Sequence, residues 1–183
     1  MMSIRSCGIA LFGLLACAPL AQAQSQSWDK VLSGSRRFVV LDAFGGEAVL
    51  DKETGLVWER TPGDLNHDGV IGVGDGRTWF AAHGTCRRKI VGDRRGWRLP
   101  TFEELASLVD PSDAFPRATL PAGHPFIGDF SSSFDFWSAN TLVSAPTIAL
   151  ALPFGTDIDL LGFPKDGELL VWCVRGGRGV DPQ

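Results

Sequence analysis

The sequence predicts an α+β domain, and three features of element order carry that prediction. β-prone runs gather before residue 60 and again after residue 135. Two amphipathic helical patterns stand between those groups. Residues 111–135, rich in Pro, Gly, Ser and Asp, separate the helices from the later strands. The expected architecture is two helices packed on twisted antiparallel sheets, with a long irregular loop region.

Residues 24–35 are polar and read as a mobile lead into a domain at 36–177. The run Arg37-Phe38-Val39-Val40-Leu41 is β-prone, and Gly45-Gly46 marks a turn. Residues 48–51 and 56–59 read as strands around the Lys52-Glu53-Thr54-Gly55 turn. Residues 78–90 carry Trp79, Ala82, Cys86 and Ile90 at helical spacing, the expected buried face of a first helix. A second helix starts at Thr101, where Thr101 and Glu104 form a capping box that satisfies two orphan amides. Phe102, Leu105, Leu108 and Val109 supply its apolar side, and Pro111 follows its end. Residues 136–139, 147–154, 157–161 and 169–175 read as strands, and residues 178–183 as a tail. The chain's six tryptophans and twelve phenylalanines make the expected core aromatic-rich.

The first 23 residues fit an export signal. Arg5 precedes an apolar stretch from Ile9 to Ala18, and Ala21-Gln22-Ala23 is a small-residue cleavage site. A periplasmic or secreted location is expected. An alternative is a lipoprotein anchored through Cys17, because Leu14-Leu15-Ala16-Cys17 resembles a bacterial lipobox. No apolar run is long enough for a transmembrane helix. Cleavage leaves Cys86 and Cys173, which in an oxidising compartment most simply form one disulfide; two separate buried thiols are the alternative. The chain has 17 Lys and Arg against 21 Asp and Glu, and loss of Arg5 makes the balance more acidic. Bulk charge therefore gives no reason to expect nucleic-acid binding.

Residues 64–75 read as a twelve-residue calcium loop. Asp64, Asn66 and Asp68 occupy positions one, three and five, and Gly69 takes the sharp turn at position six. Val70 offers a backbone carbonyl at seven, Ile71 is the apolar residue at eight, and Asp75 closes the loop at twelve. A hard cation such as calcium wants six to eight oxygens, which this spacing supplies from one segment. The flanks are not those of an EF-hand: Thr61-Pro62-Gly63 is no helix, and Gly72, Gly74 and Gly76 weaken one after the loop. The loop reads as a calcium-stiffened insertion, against the plainer alternative of an Asx-rich turn.

No catalytic set stands out. His67, His83 and His124 have no neighbouring Cys, His or acid at zinc-ligand spacing. Ser131-Ser132-Ser133 lacks a nucleophile elbow. Arg87, Arg88, Lys89, Arg94, Arg95 and Arg98 form a basic run in an acidic chain. Arg87, Arg88, Arg94 and Arg95 are the candidates for contact with sulfate or phosphate groups. A solvated helix end that complements the helix dipole is the competing account. Arg98 is expected to pair with Glu104 or Asp110. Trp97, Trp137 and Trp172 are expected in the core rather than as sugar-stacking platforms.

The run Gly96-Trp97-Arg98-Leu99-Pro100-Thr101, followed by Glu104-Leu105 and Leu108-Val109-Asp110, resembles the Lcl C-terminal domain family. Other pieces match in order: Leu50-Asp51-Lys52-Glu53-Thr54-Gly55-Leu56-Val57-Trp58, Thr78-Trp79 with Ala82 and Cys86, Phe136-Trp137-Ser138 and Cys173-Val174-Arg175. The resemblance covers about residues 37–177. That family is similar to C-type-lectin-like folds and to the formylglycine-generating-enzyme group, which implies a compact mixed domain. Its named example is the end domain of a bacterial collagen-like adhesin that binds sulfated glycans. The calcium loop lies outside the general family pattern. The enzymatic relatives use reactive cysteines, whereas Cys86 and Cys173 match the expected structural bridge, so that activity is not carried over.

The resemblance, the export signal and the lack of a catalytic set together point to a non-enzymatic, lectin-like binding module whose partner is an anionic glycan or an envelope protein, and the loop at 64–75 adds calcium as its expected ion. A structural envelope protein without a small ligand is the alternative. An enzyme of the formylglycine-generating type is a weaker third.

Overall fold

The computed structural model describes residues 32–65, 71–72, 74–110, 112, 118–128, 130, 134–155 and 161–176. In chain order the elements are α1 (Gly34–Arg37), β1 (Phe38–Val40), a 3-10 turn (Asp42–Phe44), β2 (Ala48–Asp51), β3 (Val57–Glu59), α2 (Trp79–Arg88), α3 (Phe102–Ala106), β4 (Phe134–Thr141), β5 (Ile148–Phe154), β6 (Gly162–Pro164) and β7 (Val174–Arg175). The mixed α+β class with antiparallel sheets and few helices is as expected. The export signal, Cys17 and the tail lie outside the described residues, and so do His67 and Ser131-Ser132-Ser133.

Two antiparallel sheets form, one ordered β1-β2-β3-β7 and one ordered β4-β5-β6. The β2–β3 hairpin turns where Asp51 accepts hydrogen bonds from the Glu53 amide at 3.0 Å and the Thr54 hydroxyl at 2.8 Å. Such Asx bonds hold the backbone in a tight reversal. β4 pairs with β5 through a register shift between Trp137 and Thr141.

The segment 169–175 laces the sheets together. Leu170 bridges to Phe136 of β4, and Val174 pairs with both Trp58 of β3 and Arg98. Its side chains alternate between two cores. Leu170, Trp172 and Val174 enter one with Trp58, Phe126, Phe136 and Phe154; Val171 and Cys173 enter the other with Ala82, Cys86, Trp97 and Trp137. Extended backbone sends successive side chains to opposite faces, so one apolar run serves both. Cys86 and Cys173 are disulfide-bonded with a Cα–Cα distance of 5.4 Å, closing a separation of 87 residues. In the chain-entropy model such a crosslink stabilises by about 4–5 kcal/mol.

Several elements differ from expectation for identifiable reasons. α1 occupies part of the polar lead, because Arg37 turns inward to Asp51 with bonds of 2.9 and 2.7 Å. The first helix stops at Arg88, since Lys89 is extended at ψ 142°. Ile90 thereby leaves the helical phase and is exposed, while Val91 is buried. The capping box forms as expected, yet α3 has only five residues, and Leu108 is buried from the turn that follows. The expected strand at 169–175 shortens to β7, because the backbone of 169–173 bonds to several elements in turn: Leu169 to Arg77, Leu170 to Asp135 and Trp137, Val171 to Gly63 and Cys173 to Glu59. Residues 157–160 of the expected strand at 157–161 lie outside the described residues, and β6 begins at Gly162. Within 111–135 no described residue before Phe134 is helical or extended in a sheet. Phe126 and Phe130 anchor this region in the core, and Arg60 donates to the Pro125 carbonyl at 3.0 Å. No helix among the described residues is long and apolar enough to cross a membrane.

Candidate functional site

The basic run falls at the C-terminal end of α2 and in the hairpin turn after it. Thr78 caps the helix, its hydroxyl accepting from the Ala81 amide at 3.4 Å. Arg87 and Arg88 occupy the last turn, where cations face the negative end of the helix dipole. Val91 and Arg94 then pair across Gly92 and Asp93, which both have positive φ, the pattern of a two-residue primed turn. Gly92 is dictated by contact as well, because a Cβ there would meet Phe44 Cα at 2.3 Å. The Glu47 carboxylate accepts from the Gly92 amide at 2.8 Å. The buried Trp97 indole donates to the Arg94 carbonyl at 2.9 Å, and the Arg94 guanidinium lies 5.2 Å from the Phe44 ring centre. The backbone presenting Arg94 and Arg95 is therefore held by the core.

The six cations of the run divide sharply. Lys89 is ion-paired with the buried Glu59. Arg98 forks onto Glu104, each nitrogen–oxygen distance being 2.7 Å, and also donates to the Gly176 carbonyl at 2.9 Å. Glu104 in turn accepts from the Thr101 amide at 2.8 Å, so Arg98 locks the capping box that starts α3. Arg87, Arg88, Arg94 and Arg95 are all exposed, and no carboxylate among the described residues pairs with them. Sequence reasoning chose those four and assigned Arg98 its structural role. It gave no role to Glu59 as the neutraliser of Lys89, because the two are 30 positions apart.

Asp64 and Asp75 are both buried, at the two ends of the expected calcium loop. Asp75 accepts from the Leu65 amide and from the Gly72 amide, each at 2.9 Å, drawing the loop ends together. Asn66, Asp68 and Val70 lie outside the described residues. Among the described residues alone, no group of three His, Cys, Asp or Glu is arranged to hold a metal. Asp64 also lines a cavity of about 230 Å³ with Glu47, Glu59 and Lys89, which places the start of the loop beside the basic run. A larger cavity of about 590 Å³ lies elsewhere, between α1 and α3, where Arg37 is already committed to Asp51 and Glu53.

Trp97, Trp137 and Trp172 are buried, which removes them as sugar platforms. His83 sits on α2, and its pKa is lowered by burial first and then by the charges of Arg87 and Lys165. Burial alone lowers that of His124.

Comparison with curated proteins and with solved structures finds no match for this chain. The family model described as the Lcl C-terminal domain matches residues 47–175. That span runs from the start of β2 to the end of β7 and includes the disulfide, the Trp97-Arg98-Leu99-Pro100 run and the four exposed arginines. The chain belongs to the Lcl C-terminal domain family.

Proposed function

We propose that this domain is an exported binding module of C-type-lectin-like architecture that recognises an anionic surface glycan through the basic face at the end of α2. One observation supports the reading most. Of six cations in one run, two are neutralised by buried or half-buried acids, and four stand exposed without a carboxylate partner among the described residues. Unneutralised guanidinium groups raise the local potential on a chain of net charge −4. Their planar forks match the paired oxygens of sulfate and carboxylate. Two antiparallel sheets, a long loop region and a bridging disulfide are compatible with the lectin-like architecture.

Replacing Arg87, Arg88, Arg94 and Arg95 together by Ser is expected to abolish retention on a heparin column. Wild-type retention should weaken as salt rises, because exposed charges are screened. Unchanged retention of the variant would remove the basic face from the reading. Silence of the wild-type protein across sulfated and neutral glycans would favour a structural envelope protein.

Calcium is proposed as the structural ion of the loop. Asp64, Asn66, Asp68 and Asp75 would supply side-chain oxygens and Val70 its carbonyl. The approach of the two loop ends, where Asp75 accepts from the Leu65 amide, supports this reading. A weak site with a dissociation constant of roughly 10⁻⁴ M suits an extracellular module. Calcium at ten times that constant would stabilise the fold by about 1.4 kcal/mol. The melting temperature should rise by a few degrees with calcium, and Asp68→Ala should remove the response. Identical melting curves in calcium and in chelator would leave the loop as a turn.

A further inference from the structure

Phe80 is an anomaly in this domain. The other described Trp and Phe rings are buried or half-buried, whereas Phe80 is 69% exposed on the first turn of α2. It stands against Trp79 with ring centres 5.1 Å apart and planes at 80°, so the two rings form a corner. That corner is rigid. The Trp79 indole donates to the Ser138 carbonyl at 2.8 Å, and the Trp79 amide donates to the Lys165 carbonyl at 3.0 Å. The Lys165 ammonium lies 4.0 Å from the Trp79 ring centre and 5.8 Å from that of Phe80. His83 packs against Trp79 at 4.3 Å. Phe80, His83 and Arg87 follow one another at helical spacing, which places them along one side of α2. No carboxylate among the described residues pairs with Lys165 or Arg87.

We propose that the Phe80–Trp79 corner, with Lys165, His83 and Arg87 around it, is a subsite for a pyranose ring carrying a sulfate or carboxylate. The chain's ligand is then an acidic polysaccharide, not a polyanion without rings. This rests on the reading that the basic face binds an anionic glycan, and it adds which chemistry that glycan must have. A pyranose presents a face of C–H bonds and a polar rim. An open aromatic face accepts the C–H side, and cations beside it accept an anionic substituent on the rim. Inorganic polyphosphate offers the charge without the apolar face. A bilayer offers apolar depth, but one phenyl ring surrounded by polar groups is too little buried area for stable anchorage.

The experiment measures dissociation constants of full-length protein for heparin, for polyphosphate and for vesicles containing phosphatidylglycerol. Wild type is compared with Phe80→Ala, Lys165→Ala and the four-arginine variant. Removing a stacked ring is expected to weaken heparin binding about tenfold, with polyphosphate unchanged. Lys165→Ala is expected to weaken both. Because Phe80 is so exposed, its loss should leave the melting temperature unchanged, and that control separates recognition from folding. Heparin binding that depends on the arginines but not on Phe80 would overturn the subsite and leave the basic-face reading standing. Equal losses on heparin and polyphosphate in Phe80→Ala would also overturn it. So would Phe80-dependent binding to vesicles without binding to heparin. Absence of heparin binding by wild type would overturn both readings together.

Discussion

Arg37 and Arg98 direct their donors into the domain, whereas Arg87, Arg88, Arg94 and Arg95 present theirs to solvent. The difference begins with backbone context. Arg37 ends α1 beside Asp51 and also reaches the Ser107 carbonyl at 2.5 Å, joining the first sheet to the turn after α3. Arg98 sits one residue before a buried leucine and forks onto the carboxylate that caps α3. The four others follow the exposed side of α2 or project from a two-residue turn. Identical side chains thus serve as mortar in one region and as an unneutralised surface in the other.

Removing Arg37 is the strongest way to break that comparison. Arg37→Ala would leave the buried Asp51 without its cation, at a cost of roughly 3–5 kcal/mol in urea unfolding. A loss below about 1 kcal/mol would show that the pair is dispensable. Arg98→Lys is expected to cost about 2 kcal/mol, because a point charge replaces a fork on the capping carboxylate. Hydrogen exchange at the Thr101 amide should quicken in that variant; unchanged protection would show the cap to be independent of Arg98.

A smaller effect sharpens the other side. If Arg87 is unneutralised, Arg87→Ser should move the His83 pKa part of the way up toward its ordinary 6.5, with burial still holding it below. An NMR titration that finds no movement would mean the Arg87 charge is already screened. Because folding lowers the pKa of His83 and of His124, acid favours the unfolded chain. Stability is full above about pH 6.5 and falls as pH drops toward the lowered values. The smallest effect is on folding of the four-arginine Ser variant, whose unfolding free energy should stay within about 0.5 kcal/mol of wild type.

Local signals in the sequence were good guides wherever one element sufficed. The capping box at Thr101 and Glu104, the turn at 52–55 and the pairing of Arg98 with Glu104 all rest on residues within six positions of one another. Failures arose where a distant partner decided. Polarity hid α1, because Arg37 is stabilised by Asp51 across the sheet. Helical phase favoured Ile90, but the chain leaves the helix to form the Val91–Arg94 turn. The β-prone run at 169–175 was legible, yet its short ladder was not, since its backbone partners at Arg77, Asp135, Gly63 and Glu59 belong to different, distant parts of the chain. The corner at Phe80 was not singled out, although the helical phase that buries Ala82 and Cys86 leaves position 80 off the buried face.

The alternation of Leu170, Val171, Trp172, Cys173 and Val174 has a consequence for the order in which the domain is assembled. These residues come after every other strand partner they join, and each core lacks its central side chains until they arrive. A ribosome delivers them late. Until then the β2–β3 hairpin and the β4–β5 pair have neither Trp172 nor Cys173 to pack against. Completion therefore depends on contacts far apart in the chain, which close slowly. Truncation before residue 170 should leave a collapsed but unsettled chain, whereas the same residues supplied in full lock both halves in one step.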